Sequence, residues 1–161
     1  MRLGSWTLEV GSSRGVNQPN LFPTPRGCVA RANVDGGSRG NPGPAGYGVH
    51  IEQDDGTVVE LKESLGLTTN NVAEYSGLIA ALRWAASHGI STLHVLADSE
   101  LLVKQMRGEY RVKSPGLRPL FEQAHALARQ IGDVTFEHVR RERNKDADRL
   151  ANEAMDEAAA G

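Results

Sequence analysis

Three consecutive β-strands are predicted from residues 28–65, CVARANVDGGSRGNPGPAGYGVHIEQDDGTVVELKESL. The first strand covers residues 28–35 and ends in a carboxylate, and the turn-rich segment GGSRGNPGPAG follows it. Residues 47–53 and 57–65 are the next two strand candidates, joined through Asp54-Asp55-Gly56, a combination typical of hairpin turns. The chain is therefore expected to fold first into an antiparallel three-stranded sheet.

The rest of the chain alternates between helical and strand patterns. Apolar residues between Val72 and Ala86 recur at helical spacing, and Gly89 is a suitable end for that helix. The predicted elements are, in chain order, a helix over 70–88, a strand over 92–97, helices over 100–106 and 115–131, a strand over 134–139 and a helix over 145–158. This order predicts an α/β fold, with a mixed sheet flanked by helices.

The length of 161 residues suits a single domain. Residues 1–27 contain scattered glycines and prolines without a helical or strand period, so they are interpreted as a disordered leader, a linker or a cloning remnant. The folded domain is expected to cover residues 28–158, with a short tail at 159–161. Cys28 is the only cysteine, which excludes an intramolecular disulfide and a cysteine-based zinc cluster.

Two features bear on location. No apolar run approaches the roughly 20 residues that a membrane-spanning helix needs. The first residues also lack the apolar centre of a signal peptide, because Glu9, Gly11 and Arg14 interrupt it. We therefore expect a cytoplasmic protein with no membrane partner.

The charge of the chain is unevenly distributed. The formal net charge of −2 is not typical of nucleic-acid-binding domains, which are usually basic. Residues 104–118 nevertheless contain five basic residues against one acidic, and residues 140–145 contain four against one. Such runs are more often solvated faces than binding sites. They suggest an anionic partner without establishing one.

Four acidic residues are placed where a site could form. Asp35 and Asp98 each close a predicted strand, and if these strands are parallel neighbours both side chains emerge at one sheet edge, where ligands of α/β sheets bind. Glu74 and Asp148 lie on predicted helices among apolar neighbours, an unfavourable place for an unpaired carboxylate. Taken singly, each acid could equally be a helix cap or a salt-bridge partner.

Four motifs together carry a family resemblance. They are VDGGSRGNPGPAGYG (34–48), TTNNVAEYSGLIAAL (68–82), LADSELLVKQ (96–105) and NKDADRLAN (144–152). In this order and spacing the sequence resembles the type I ribonuclease H family over roughly residues 30–155. The resemblance implies a ribonuclease H-like fold, with a five-stranded sheet whose first three strands are antiparallel and whose later strands are parallel additions. It also places the metal-binding acids of the family at Asp35, Glu74, Asp98 and Asp148, none of which is substituted.

The resemblance implies a nuclease that hydrolyses the RNA strand of RNA–DNA hybrids and leaves 5′-phosphate and 3′-hydroxyl ends. Two Mg²⁺ ions would bind with the substrate, with Mn²⁺ as the alternative, because carboxylates suit hard cations. The family pattern implies that Asp35 bridges both ions. Asp98 and Glu74 would hold the ion beside the leaving group, and Asp148 the ion beside the attacking water.

The same resemblance implies three groups of substrate-binding residues. The loop after Asp35 would sense the 2′-hydroxyl, the start of the first helix would contact a phosphate, and a later segment would follow the DNA strand. In that order the groups are Gly36, Ser38, Arg39, Gly40 and Asn41; Thr69 and Asn70; and Tyr110, Arg111 and Lys113. Their simpler alternatives are a tight turn, an N-cap and, for Tyr110, a core position.

The sequence departs from well-known bacterial members of the family in three places. The basic insertion between two helices is reduced to residues 107–118. No histidine lies between Val139 and Asp148, and Arg141 occupies that loop instead. Because arginine cannot act as a base at neutral pH, Arg141 is expected to stabilise charge or contact phosphate. Glu100 replaces a neutral glutamine, and nothing in the sequence explains it.

Other interpretations stay open at this level. A DNA nuclease of the same superfamily would share the acidic cluster but lack the loop GGSRGNPGPAG. A catalytically silent hybrid-binding module would not need four intact acids. A monomer is expected, and a fusion partner domain in a longer protein is conceivable because some relatives are joined to a phosphatase-like domain.

Overall fold

The computed structural model describes residues 28–161, so the interpretation of residues 1–27 as a leader lies outside the described residues. A single 3₁₀ turn, Arg141–Arg143, precedes the last helix. The strands and helices are β1 Cys28–Ser38, β2 Gly43–Gln53, β3 Val58–Thr68, α1 Asn70–Ser87, β4 Ile90–Ala97, α2 Glu100–Met106, α3 Arg118–Ile131, β5 Asp133–His138 and α4 Lys145–Ala160. This order agrees with the one predicted from the sequence.

The strands form one five-stranded sheet in the order β3-β2-β1-β4-β5. β1, β2 and β3 pair antiparallel, because short turns connect them. β4 pairs parallel with β1, and β5 pairs parallel with β4, because helical crossovers precede both strands. The prediction of an α/β fold with a mixed five-stranded sheet is therefore confirmed.

The turn expected over residues 36–46 is much shorter in the structure. β1 and β2 continue pairing through Gly36↔Tyr47 and Ser38↔Ala45, which leaves only residues 39–42 as a loop. The glycines of this region serve close packing: a Cβ atom added at Gly46 would lie 2.5 Å from Ala154 Cβ of α4. The sequence pattern could not distinguish a glycine needed for close packing from a glycine needed in a turn, because both positions favour a residue without a side chain.

The start of α3 also differs from the prediction. The helix begins at Arg118 and not at residue 115, because the N–H groups of Leu117 and Arg118 both donate to Ser114 O in a turn. Pro119 lies in the first helical turn, where its missing N–H leaves no helical bond unmade. The other element boundaries differ from the predicted ones by four residues or fewer.

The sheet has two different faces. On one face Ala32 of β1 and Val95 of β4 pack with Leu78 and Leu82 of α1 in the buried core. On the other face α4 covers β1, β2 and β3. Among residues 28–161, no helix is both long enough and apolar enough to cross a membrane.

Candidate active site

Asp35 and Asp98 lie together at one edge of the sheet. The parallel ladder of β1 and β4 ends with the pair Val34↔Ala97; Asp35 is the next residue of β1, and Asp98 directly follows the end of β4. Because parallel strands point the same way, both carboxylates emerge at the same edge. The Asp98 side chain is 14% exposed, and the Gly36 N–H donates to Asp35 Oδ1 at 2.9 Å. The structure therefore brings these two predicted acids together.

Glu74 approaches this edge from α1. The backbone of α1 lies directly against β1, since a Cβ added at Gly36 would be 2.5 Å from the carbonyl carbon of Ala73. Thr69 caps the helix, with its Oγ1 accepting from Val72 N at 3.3 Å. The N-capping alternative for Thr69 is thus observed, and the cap fixes the helical turn that carries Glu74.

Asp148 joins the cluster from α4, close enough to Asp35 for its carboxyl group to contribute to the raised pKa of Asp35. The start of α4 is held by Asn144, which is 1% exposed. Asn144 Nδ2 donates to Val34 O at 2.9 Å, and Asn144 O accepts from Asp148 N at 3.0 Å. Asn144 therefore connects the strand residue before Asp35 to the helical turn that contains Asp148. Sequence reasoning gave Asn144 no role.

The cluster holds its carboxyl groups in an unfavourable environment for negative charge. Burial and the neighbouring charge of Asp98 raise the pKa of Asp35 to about 8, against the lowering effect of the Gly36 N–H, and Asp148 raises it further. Burial also raises the pKa of Glu74 to about 7, with Ser99 opposing the shift and Asp98 adding to it. Partly buried, mutually repelling oxygen donors of this kind suit a hard divalent cation, whose charge would relieve the repulsion.

A cavity of about 600 Å³ opens at this cluster. Three of the four acids line it, namely Asp35, Glu74 and Asp98, and Asp148 is the fourth acid that acts on the pKa of Asp35. Arg141 also lines the cavity: its side chain is 82% exposed, and its Nε lies 3.9 Å from Asp98 Oδ2. The guanidinium can therefore turn towards an anion in the cavity without breaking a tight ion pair.

The loop after β1 is tied to the first turn of α1. Asn70 Oδ1 accepts from both the N–H and the hydroxyl of Ser38, at 2.8 and 3.1 Å. Asn41 Oδ1 in turn accepts from Asn70 N at 3.0 Å. Gly40, directly before Asn41, has φ +94°. Four of the predicted substrate residues line the cavity, namely Gly36, Ser38, Arg39 and Asn70. The structure thus places the loop and the helix start on one continuous wall.

Arg39 makes contacts that the sequence did not indicate. Its Nη2 lies 2.9 Å from Asp156 Oδ1 and 3.0 Å from Asn152 Oδ1, both on α4. This ion pair orients the guanidinium along the cavity wall and offsets part of its charge.

The third predicted group lies apart from the cavity. Tyr110 is 51% exposed, so the core alternative for this residue is wrong. Lys104 Nζ lies 4.9 Å from the centre of its ring. Arg111 and Lys113 are exposed beside it, and none of the three lines the cavity at the acids.

A second group of potential metal ligands lies elsewhere, on β2, β3 and the start of α4. Ligand atoms of His50, Glu60 and Asp146 lie within 4.8 Å of one another. Arg149 Nη2 already contacts Glu60 Oε2 at 2.7 Å, and His50 Nδ1 lies 2.9 Å from the same oxygen. Burial lowers the pKa of His50, but hydrogen bonds to Glu60 and Glu52 raise it overall. We attribute to this group the anchoring of α4 on the sheet.

Comparisons with known proteins agree with this geometry. A family model described as reverse transcriptase-like matches residues 33–154. The sequence is 54% identical over 128 residues to the bifunctional protein Rv2228c of Mycobacterium tuberculosis, covering 78% of this chain and 35% of that protein. The chain thus spans about a third of this relative. It is also 44% identical over 134 residues to ribonuclease HI of Halobacterium salinarum, covering 83% of this chain and 67% of that protein.

Solved structures extend the comparison to the fold. The N-terminal RNase H domain of Rv2228c superposes with a TM-score of 0.79 at 52% identity, covering 82% of this chain and 96% of that chain. LC11-RNase H1, solved in complex with an RNA/DNA hybrid, superposes with a TM-score of 0.74 at 41% identity, covering 82% of this chain and 99% of that chain.

Proposed function

Because the chain belongs to the type I ribonuclease H family, we propose that it is an endoribonuclease that hydrolyses the RNA strand of RNA–DNA hybrids. The observation that carries the proposal is the meeting of Asp35 and Asp98, where the β1–β4 ladder ends, with Glu74 of α1 and Asp148 of α4. All four acids of the family pattern are present, and the pKa values of Asp35 and Glu74 are raised as expected for a site designed to share its charge with cations.

Phosphodiester hydrolysis requires an oriented water and a means of absorbing negative charge on the phosphate. Two divalent cations, Mg²⁺ with Mn²⁺ as the alternative, would be held by the four acids and would supply both. Asp98 and Asp148 both raise the pKa of Asp35, so Asp35 is the acid that would be shared between the two ions. Glu74 and Asp98 would serve the leaving-group side, and Asp148 the water side. As the family resemblance implies, the products would carry 5′-phosphate and 3′-hydroxyl ends.

Selection of a hybrid needs contact with the 2′-hydroxyl of RNA. Gly36, Ser38 and Arg39 of the loop after Asp35 line the cavity beside the acids, and hydrogen bonds of Asn70 to Ser38 and Asn41 fix this loop against α1. Thr69 and Asn70 begin a helix whose N-terminal dipole favours a phosphate. The exposed segment with Tyr110, Arg111 and Lys113 would follow the DNA strand.

The proposal is tested with a labelled hybrid beside RNA–RNA and DNA–DNA duplexes of the same sequence, each with Mg²⁺ or Mn²⁺. Cleavage confined to the RNA strand of the hybrid is the expected result. Cleavage of duplex DNA would favour a DNA nuclease of the same superfamily. Tight binding of the hybrid without cleavage in either metal would favour a silent binding module.

Replacing Arg141 by alanine is expected to lower kcat by about tenfold, because one charged group that contacts the reacting phosphate contributes on the order of 1–2 kcal/mol. The fold should be unaffected, since the side chain is 82% exposed. Arg141→Lys should retain more activity than Arg141→Ala, because charge is needed there and not proton transfer. Steady-state kinetics on a short hybrid measure the effect, and an unchanged kcat in Arg141→Ala would remove the role.

The stability of the cation-free protein is expected to fall as the pH rises from about 4 towards 8. The pKa of Asp35 is 3.8 as a free group and about 8 in the fold, so between these values the folded state holds a proton that the unfolded state has released. Excess Mg²⁺ should reduce this fall by stabilising the ionised carboxylates. Urea titrations across that range, with EDTA or Mg²⁺, measure it. Stability that rises with pH in EDTA would contradict the burial of Asp35.

We further propose that the domain acts as a cytoplasmic monomer. A fused second domain in the full-length protein is supported by the mycobacterial relative, which is described as bifunctional and of which the chain covers 35%.

A further inference from the structure

α4 covers only part of one face of the sheet and leaves that face open over β4 and β5. α4 packs on β1, β2 and β3, whereas His94 of β4 and Thr135 of β5, on the same face, are exposed. A cavity of about 410 Å³ lies on this open half. We call the surface formed by Arg31, Asn33, His94, Leu96 and Arg143 the sheet shelf.

The sheet shelf carries positive charge that nearby acids do not neutralise. Within residues 28–161, neither Arg31 nor Arg143 takes part in an ion pair, whereas Arg39 and Arg149 are each bound to carboxylates of the fold. Glu137 borders the same cavity but forms no ion pair with either arginine of the shelf. Unpaired guanidinium groups beside a concave surface favour an anionic ligand, and phosphate matches their planar donor geometry.

The sheet shelf is continuous with the active site. Arg31, Asn33 and Asp35 alternate along β1, so their side chains leave the same face of the sheet. His94 and Leu96 precede Asp98 on β4 in the same way, and they pair with Arg31 and Asn33. Val139 lines both the active-site cavity and the cavity of the shelf. Arg31 therefore lies about 13 Å along the strand from Asp35, with no intervening helix.

Two contacts hold the shelf in shape. Asn33 Nδ2 donates to Asn144 Oδ1 at 2.9 Å and to Arg143 O at 3.3 Å, which fixes the backbone of Arg143 beside β1. His94 Nδ1 lies 2.7 Å from Thr135 Oγ1, so the exposed imidazole is oriented. An oriented ring and neighbouring arginines are the groups on which unpaired bases stack and phosphates bind.

We propose that the sheet shelf binds single-stranded RNA that continues from the strand being cleaved. The inference rests on the proposed function, because the strand that passes over Asp35 and Asp98 is then RNA. The continuation must be unpaired, since a duplex is too stiff to bend from the sheet edge onto a concave face a few residues away. The enzyme would thus prefer hybrids flanked by unpaired RNA, and the shelf would add phosphate contacts to a chain whose other basic stretch, residues 107–118, is short.

The test compares kcat and KM, in Mg²⁺, for a flush hybrid and for the same hybrid extended by about ten unpaired nucleotides. The extensions are RNA at either end of the RNA strand, or DNA on the DNA strand. For one of the RNA extensions we expect KM to be at least about threefold lower than for the flush hybrid, with a steeper salt dependence. In the variant Arg31→Ala/Arg143→Ala this advantage should disappear, while kcat and KM on the flush hybrid stay unchanged.

The matched control is Arg83→Ala/Arg129→Ala, which removes two exposed arginines of α1 and α3 that also lie outside the ion pairs of the described residues. It should keep the preference for the RNA extension. A wild-type protein without that preference, a shelf variant that retains it, or an equal gain from the DNA extension would each overturn the proposal.

A binding measurement separates this proposal from the proposed function. Fluorescence anisotropy of a labelled single-stranded RNA of about twelve nucleotides needs no cleavage. The wild-type protein and the control variant should bind it several-fold more tightly than the shelf variant. Equal binding by all three overturns the shelf. Failure to cleave any hybrid, with this difference in RNA binding intact, would contradict only the proposed function.

Discussion

Replacement of Asp35 by asparagine is expected to lower kcat/KM on a hybrid by more than about 100-fold, equivalent to about 2.7 kcal/mol of transition-state stabilisation. Asp35 is the acid that faces both Asp98 and Asp148, so its loss affects every cation that the cluster could hold. The amide is nearly isosteric, and the fold should remain intact. Because burial raises the pKa of Asp35 to about 8, the cation-free fold must take up a proton there at neutral pH, and asparagine, which needs none, should even stabilise it.

The matched control for this variant is Asp133→Asn. Asp133 lies at the start of β5, exposed at the opposite end of the sheet, where it accepts a hydrogen bond from Thr92 Oγ1 at 3.2 Å. Its replacement should leave kcat/KM unchanged. A folded Asp35→Asn protein whose activity falls far less than about 100-fold would show that the metal centre is not organised around this residue.

Replacement of Asn144 by alanine is expected to destabilise the protein by about 2 kcal/mol, because the buried Val34 carbonyl loses its donor and the half-buried Asn33 amide loses one acceptor. Val34 O would no longer receive the Asn144 Nδ2 donor, and Asn33 Nδ2 would lose one of its two acceptors, keeping only Arg143 O. The start of α4 would then be free to shift away from β1. Because Asp148 lies one turn further along α4, the Mg²⁺ concentration for half-maximal activity should rise several-fold.

Asn144→Asp separates the two hydrogen bonds of this residue. The aspartate can still accept from Asn33, but it cannot donate to Val34 O and it places a charge in a site that is 1% exposed. It should be at least as destabilising as alanine at neutral pH. Urea unfolding and Mg²⁺ titrations of activity measure both variants. Unchanged stability together with an unchanged Mg²⁺ requirement would show that Asn144 does not position α4.

The strands and helices whose own residues follow a regular polar–apolar pattern could be predicted from the sequence. Alternating and helical patterns predicted the element order, and the apolar runs that end before Asp35 and Asp98 placed both residues at the end of the β1–β4 ladder. Both properties are local, since a strand or an amphipathic helix is recognisable from its own residues. The prediction that Asp35 closes β1 was wrong, because β1 continues to Ser38 in its pairing with β2. The ordered motifs added Glu74 and Asp148, which periodicity alone left ambiguous with capping or salt-bridging acids.

The parts that depend on distant contacts could not be predicted. Gly46 suggested a turn, whereas the structure uses it where α4 crosses the sheet, about a hundred residues later in the chain. The bond from Asn144 to Val34 O spans 110 positions, and the ion pair of Arg39 with Asp156 spans a similar separation. No local pattern encodes such pairs, because each residue is also acceptable as an ordinary polar surface residue.

The most direct test of the account is a time course on a hybrid labelled on both strands, followed by mapping of the product ends. With Mg²⁺, the RNA strand should be cut internally into fragments with 5′-phosphate and 3′-hydroxyl ends, the DNA strand should stay intact, and EDTA should stop the reaction. Cutting of the DNA strand, RNA fragments ending in a 2′,3′-cyclic phosphate, or cleavage that continues in EDTA would contradict it.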